Sequence, residues 1–442
     1  MSKERAPEGY KQTEVGVIPE DWNVQHLENL TEQVRPISYG IVQTGPNIFG
    51  GVPCLRVVDI KDGHVDARNL IRTSEKISNG YKRTILRTGD LVMPLRGKVG
   101  DVGIINEELE GANLTRGVAV LAIRPDIDNK FCRQAISSPS TRRRLEQSMN
   151  GSALQEIPIA TLRSFQIAIP SLIEEQQAIA STLSNIDNLL ASLDRLIAKK
   201  RDLKQATMQQ LLTGKQRLPG FLRESGYQQT EIGVIPKDWN VRLLPDIAWF
   251  QEGPGLRNWQ FVNQGMKVIN VTNLENGFLN LDRTDRYITL EEFSKTYAHF
   301  AIDADDIVMA SSGNSYCKTS VVRDHDLPLV MNTSVIRFKP INNYDYNFLL
   351  IYLRSASFKE QIDLMITGGA QPNFGPYHLK RIYLPVPSDK EQTAIAQVLT
   401  DMDTELTTLQ TRRTKTQALK QAMMQELLTG KTRLLPPTAK ND

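Results

Sequence analysis

The sequence states its own ends twice. Gly-Tyr-Lys-Gln-Thr-Glu-Val-Gly-Val-Ile-Pro-Glu-Asp-Trp-Asn-Val at 9–24 returns as Gly-Tyr-Gln-Gln-Thr-Glu-Ile-Gly-Val-Ile-Pro-Lys-Asp-Trp-Asn-Val at 226–241. Met-Gln-Gln-Leu-Leu-Thr-Gly-Lys-Gln-Arg-Leu at 208–218 returns as Met-Gln-Glu-Leu-Leu-Thr-Gly-Lys-Thr-Arg-Leu at 424–434. The offsets are 217 and 216 residues, so one long unit is copied once, which excludes a short solenoid repeat. Between these matching ends the copies diverge almost completely. A constant frame with variable filling suggests one scaffold that carries two different recognition surfaces.

Each copy closes on a stretch that reads as a long helix. Ser171 to Glu174 and Ser388 to Glu391 fit the Ser-x-x-Glu capping box, in which the serine accepts from a first-turn amide and the glutamate reaches back. Gly214 and Gly430 stand where a left-handed C-cap is wanted, with Pro219 and Pro436 beyond. Each helix would run about 40 residues, or roughly 60 Å. Ile179, Leu183, Ile186, Leu190, Leu193 and Ile197 follow a 4-3-4-3-4 spacing, repeated by Ile395, Leu399, Met402, Leu406 and Leu409. That is the period of a coiled-coil seam. Both seams then turn polar, at Lys200 and Lys204 and at Arg413, Thr416 and Lys420, before Leu211 and Leu427 resume. A helix pair with a mixed seam and a docking surface for another subunit are compatible readings.

The filling reads as two α/β modules, residues 25–170 and 243–387. Apolar runs at 53–58, 90–93, 118–123, 266–271, 306–309 and 334–338 predict strands, and stretches at 129–149 and 345–365 predict helices. Segment 51–63 aligns with 265–277, 88–93 with 304–309, and 151–162 with 368–379. Residues 1–24 and 218–242 are then opening segments, 171–217 and 388–434 the long helices, and 435–442 a tail. With 442 residues there is room for two or three domains. No apolar run approaches the roughly 18–20 residues of a membrane span, and the polar start has no signal-peptide core. Cys54, Cys132 and Cys317 are few and far apart, as are the five histidines. A reducing, cytoplasmic setting without disulfides or a structural metal is expected. Formal net charge is only +3. Residues 25–165 hold 19 basic and 15 acidic side chains, and 243–385 hold 13 and 15, so any nucleic-acid face in the second module must be local.

The duplicated Gly-Tyr…Thr-Glu-(Val/Ile)-Gly-Val-Ile-Pro-x-Asp-Trp opening, the Pro-Ser-x-x-Glu-Gln-type helix start and the Leu-Leu-Thr-Gly-Lys-x-Arg-Leu exit resemble the specificity subunit of type I restriction-modification systems. The resemblance covers essentially the whole chain, although the second helix start, 388–392, is one residue shorter than 171–176. It implies an α/β (α+β) fold with two similar target recognition domains separated by two long antiparallel coiled-coil helices, in pseudo-two-fold symmetry. It implies a non-catalytic protein in which each domain reads one half of a split site on double-stranded DNA and the helices set the spacer. It further implies two modification (methyltransferase) subunits docked on the helices, S-adenosylmethionine bound by those partners and not by this chain, and restriction subunits joined through them.

The residues agree that chemistry lies elsewhere. Adenine methyltransferases need an Asn/Asp-Pro-Pro-aromatic loop to hold a flipped base, and Gln371-Pro-Asn-Phe374 lacks the second proline. Pro125-Asp126 with Asp128 and Lys130 imitates a nuclease motif, but its halves are adjacent instead of lying on neighbouring strands, and a solvated loop is the plainer reading. No phosphate-binding Gly-x-x-x-x-Gly-Lys-Ser/Thr occurs. DNA-contact candidates are loop donors: Arg96 and Lys98 around Gly97, with Arg35, Tyr39, Lys82, Arg83, Asn113, Arg116 and Gln155, in the first module. In the second they are Arg257, Asn258, Trp259 and Gln260 after Gly253-Pro-Gly255, then Asn314, Tyr316 and Lys318 in the loop aligned with Arg96, then Gln371 and Asn373. The three arginines at 142–144 read as a solvated helix face, and Trp22 and Trp239 as packing anchors. The modest charge also allows a scaffold or adaptor with duplicated binding domains and no DNA role.

Overall fold

The computed structural model describes residues 6–61, 63–150, 155–221, 226–366 and 372–435. It divides into two compact units, one of residues 1–195 with 411–442 and the other of residues 196–410. The division falls inside both long helices, Ile173–Leu212 and Asp389–Leu427. Each unit therefore groups one module with a piece of each helix.

Within each unit the module is built on the same four-stranded antiparallel sheet. In the first unit the order is Gly103–Ile104, Leu91–Pro94, Val118–Leu121, Ser38–Tyr39. In the second it is Thr319–Val321, Ile307–Ala310, Val335–Pro340, Ala248–Glu252. The central strands are buried on both faces, which is why they read as unbroken apolar runs. Alternate side chains serve separate cores: Leu91 and Met93 join Ala119 and Leu121 beneath the helices, while Val92 joins Val118 and Val120 on the opposite face. Ile307 and Met309 repeat the first pattern with Ile336 and Phe338, and Val308 and Ala310 the second.

A smaller sheet follows in each unit. Val52–Leu55 lies parallel to Asn113–Leu114 and antiparallel to Ile71–Thr73. Met266–Ile269 lies parallel to Leu329–Met331 and antiparallel to Tyr287–Ile288, and Ala301–Ile302 adds a further strand. The helical stretches predicted at 129–149 and 345–365 are each two helices: Asn129–Ser137 and Pro139–Gln147, then Tyr346–Leu353 and Ala356–Met365. The breaks come where Ser138 and Ser355 leave helical geometry to cap the next helix through their side chains.

The constant frame explains its own constancy. Strand Trp22–His26 pairs with Gln166–Pro170, which leads into the first long helix, as Asn240–Leu243 pairs with Tyr383–Val386 before the second. Trp22 is fully buried and donates from Nε1 to Glu175 at 3.2 Å, while Trp239 does the same to Glu391 at 2.9 Å. Arg433 then bridges Glu175 and Asp21, and Arg217 bridges Glu391 and Asp238. Gly430 and Gly214 are in the left-handed region, with φ of +68° and +64°. A Cβ on Gly430 would lie 2.4 Å from Pro19 Cγ, and one on Gly214 2.5 Å from Pro236. Glycine is thus needed both for conformation and for the approach of the opening segment.

The expected capping boxes do not form. Ser171 accepts from Asn23 and donates to the Asp21 carbonyl, Glu174 is exposed, and the buried acids Glu175 and Glu391 serve the Trp–Arg clamp. Instead Gln176 and Gln392 donate to the Pro170 and Pro387 carbonyls, at 2.9 and 3.0 Å.

The apolar seam is buried at Ile179, Leu183, Leu190, Leu193 and Ile197 and at Ile395, Leu399 and Leu406. Its polar stretch is closed by ion pairs. In the first unit Asp187 meets Lys420 at 2.6 Å and Asp194 meets Arg413 at 2.6 Å. As one segment advances from 187 to 194 its partner retreats from 420 to 413, so the two helix segments are antiparallel. In the second unit Lys200 meets Glu405 and Lys204 meets Asp403, again antiparallel.

Candidate nucleic-acid interface

At one end of each four-stranded sheet the same four segments meet. In the first unit Gly40 N donates to Val118 O (3.3 Å), Arg116 N to Ile41 O (2.8 Å), Leu95 N to Gly117 O (2.8 Å) and Ile157 N to Leu95 O (2.8 Å), and Arg96 bridges to Glu156. In the second unit Gly253 N donates to Val335 O (3.0 Å), Ser311 N to Ser334 O (2.9 Å), Gly313 N to Pro372 O (3.0 Å) and Phe374 N to Ser311 O (3.0 Å), and Ser312 bridges to Asn373. The backbone convergence is shared while the side chains differ.

The predicted residues divide by burial. Arg96, Lys98, Arg116 and Gln155 are exposed around the first convergence, with Tyr39 at its edge. Lys82 and Arg83 are exposed on a neighbouring turn, tied in through Val42 N to Tyr81 Oη at 3.4 Å. In the second unit Arg257, Asn258, Trp259, Asn314 and Asn373 are exposed, and Gln371 lies outside the described residues. Three candidates are internal instead. Arg35 is buried in a bidentate pair with Asp90, at 3.0 and 2.5 Å. Asn113 is fully buried and links Ser78 to Thr84. Gln260 is buried, accepting from Arg257 N at 2.7 Å and donating to Glu292 and Tyr297. It is the clasp that holds out Arg257, Asn258 and Trp259. Tyr316 and Lys318 are half-buried: Tyr316 donates to Asp363 at 2.7 Å beneath Lys359, and Lys318 pairs with Glu275 at 3.3 Å.

Two further residues of this end carry no side-chain hydrogen-bond donor, the feature that marks the other candidates in sequence. Phe49 is fully exposed in the loop between strands Ser38–Tyr39 and Val52–Leu55. Trp259, 81% exposed, occupies the corresponding loop between Ala248–Glu252 and Met266–Ile269. An aromatic followed by two glycines, as in Ile-Phe-Gly-Gly at 48–51, is the sequence signal for such a loop. The other is Glu252, an acid at the end of the edge strand Ala248–Glu252, whose type in sequence argues against contact with a phosphate backbone.

Other expectations resolve as structure. Asp126 pairs with Arg124 and Asp128 caps the helix at Asn129, so the nuclease-like run is a loop with a helix cap. Arg142 reaches Asp101 at 2.5 Å, and Arg144 lies 4.6 Å over Phe165 and donates to Gln166 O, so only Arg143 fits the solvated face expected of all three. Burial pushes the Cys54 thiol up to about 11 and those of Cys132 and Cys317 to about 12, so none is a ready thiolate at neutral pH. Among the described residues no group of three or more His, Cys, Asp or Glu is placed to hold a metal, and no helix is long and apolar enough to cross a membrane.

The sequence pattern of the type I restriction modification DNA specificity domain matches this chain twice, over residues 39–199 and 236–421. The chain belongs to that family. Its relatives include the MjaVIII specificity subunit of Methanocaldococcus jannaschii, 24% identical over 432 residues, which are 97% of this chain and 96% of that protein. The EcoBI specificity subunit of Escherichia coli is 32% identical over 206 residues, 45% of this chain and 43% of that one. The fold is that of the S subunit from M. genitalium, with a TM-score of 0.54 at 18% identity over 95% of this chain and 97% of the other. A chain from a structure of type I R-M complex assembly and conformational transition gives 0.59 at 14% identity, over 94% and 99%. This type I specificity subunit thus carries its family domain twice, and each copy contains one of the convergent ends.

Proposed function

We propose that each unit of this specificity subunit reads one half of a bipartite site on double-stranded DNA through its convergent end, residues 25–170 and 243–387 being the recognition domains. The long helices set the spacer and dock two methyltransferase subunits, which bind S-adenosylmethionine, with restriction subunits joining through them. The observation that carries this reading is the shared convergence of four segments bearing unlike exposed side chains: Arg96, Lys98 and Arg116 in one copy, Arg257, Asn258, Trp259 and Asn373 in the other. Selection for a common binding mode with different targets produces that pattern; a scaffold gripping one partner twice would repeat its side chains as well.

The test separates base reading from phosphate holding. Arg257 stands on a turn stiffened by Gln260, which suits a bidentate contact with a base edge. Lys98 is exposed on a glycine turn with Gly97 at φ +73°, and an ammonium suits a phosphate better than a base. Arg257→Ala is expected to cost about 1–3 kcal/mol on the cognate duplex and to relax discrimination at one base position. Lys98→Ala should weaken all duplexes alike and lower the salt slope by about one unit. Titration of cognate and single-mismatch duplexes by the assembled methyltransferase, across a salt series, measures both. Equal losses on cognate and mismatched duplexes for Arg257→Ala would remove it from the base readers.

A further inference from the structure

The edge strand of the four-stranded sheet ends at the same register in both units. Tyr39 pairs with Ala119 and Glu252 with Ile336, and those partners are separated by the repeat's own offset of 217. A glycine follows in each case, and a Cβ there would fall 2.0 Å from Leu114 O at Gly40 and 2.2 Å from Asn332 O at Gly253. One site in the fold is therefore filled by an exposed tyrosine in one domain and a half-buried glutamate in the other.

The glutamate is out of place as a packing residue. Side chains opposed across an antiparallel pair share a face, so Glu252 lies on the side of buried Ile336, at the rim of the core. The segment after Asn373 closes over it: a Cβ on Gly375 would lie 3.5 Å from Glu252 Oε2. Its polar partner among the described residues is the Thr333 side chain, and no Lys, Arg or His forms an ion pair with it there. Burial raises its pKa above the ordinary carboxylate range, as expected for a carboxyl taken from water without a cation. Phosphate contact cannot account for an acid, and repulsion by the duplex makes it a cost. Reading a base edge does account for it, because a carboxylate accepts from the exocyclic amine of a base, cytosine N4 in the familiar pairing. Adenine N6 presents the same donor.

We propose that Glu252 is a specificity-determining residue that accepts a hydrogen bond from the exocyclic amine of one base in the half-site read by the second domain, the matching position in the first domain being Tyr39. This rests on the DNA-reading function above. The test uses the full chain in the assembled methyltransferase and the duplex it modifies. In one arm each cytosine of that half-site is replaced singly by 2-pyrimidinone, which lacks the N4 amine. In the other each adenine is replaced by purine, which lacks the N6 amine. Wild type should lose about tenfold or more in affinity at one position, in one arm, and that arm names the base. In Glu252→Ala the same replacement should cost less than twofold, and Glu252→Asp should lie between. Each comparison is a ratio within one variant, so a reduced folded fraction cancels. A loss in Glu252→Ala as large as in wild type, or tighter binding of every duplex alike, overturns the inference while leaving DNA reading intact. A wild-type complex that loses nothing in either arm overturns the inference as well, and one that binds the cognate duplex no better than a duplex with both half-sites scrambled overturns the functional reading itself.

Discussion

Arg217→Ala is expected to destabilise the second unit by about 3–5 kcal/mol, the cost of leaving a buried carboxylate without its cation. Arg217 donates to Glu391 at 2.5 and 2.7 Å and to Asp238 at 3.0 and 3.1 Å, and the Glu391 side chain is only 2% exposed. Without the guanidinium, the side-chain donor left to Glu391 among the described residues is Trp239 Nε1. Arg217→Lys should recover little, because an ammonium cannot serve two carboxylates through planar paired bonds. Replacing Arg217 and Glu391 together by methionine should recover part of the loss, since the more deeply buried carboxylate then leaves with its cation and Asp238, the more exposed of the two acids, is the one that loses the guanidinium. Urea denaturation followed by hydrogen exchange at 226–243 reads the effect. A cost for Arg217→Ala below about 1 kcal/mol would place the pair among surface ion pairs of small worth.

The first unit's clamp should also show in acid. The bond from Arg433 holds the Asp21 carboxyl below its ordinary range. A group depressed in the folded state adds stability that is full above its unfolded value, about 4, and is lost as pH falls through the folded value. Stability of the first unit should therefore decline below about pH 4, and Arg433→Gln should flatten that part of the decline. An unchanged acid limb in Arg433→Gln would show that Asp21 is not linked to folding through this contact.

How much could be read from the sequence follows from how local each feature is. Gly214 and Gly430 announced helix ends because a left-handed residue is a local demand, and the structure gives both a positive φ. The heptad seam was legible for the same reason. Glu175 and Glu391 were missed because their partners come from far along the chain, Trp22 and Arg433 for one and Trp239 and Arg217 for the other. The break at Ser138 was readable in principle, since Pro139 follows and disfavours helical geometry in the residue before it.

In the candidate interface, loop donors look alike in sequence whether exposed or buried. Arg96 and Arg35 differ only in that Asp90, 55 residues on from Arg35, is folded against the latter. The same blindness hid Gln260, whose turn-clasping role depends on Glu292 and Tyr297. Glu252 required the strand register and the approach of Gly375, neither of which composition reveals.

The largest functional effect should come from exchanging a whole domain. Residues 25–165 can be replaced by the equivalent segment of a relative while keeping the frame that holds it: the Trp22, Glu175 and Arg433 clamp, Gly430 and the seam. The sheet, its two cores and the convergent end all lie inside the replaced segment, apart from core residues supplied by the frame, such as Trp22, Ile179, Leu183 and Met424, which are kept. The chimaera should therefore fold and still assemble. The decisive measurement is the map of methylated positions left on DNA by the methyltransferase assembled with this chimaera. One half of the recognised sequence should change to that of the donor, with the other half retained. A change in both halves, or in neither, would contradict two independent readers on one frame.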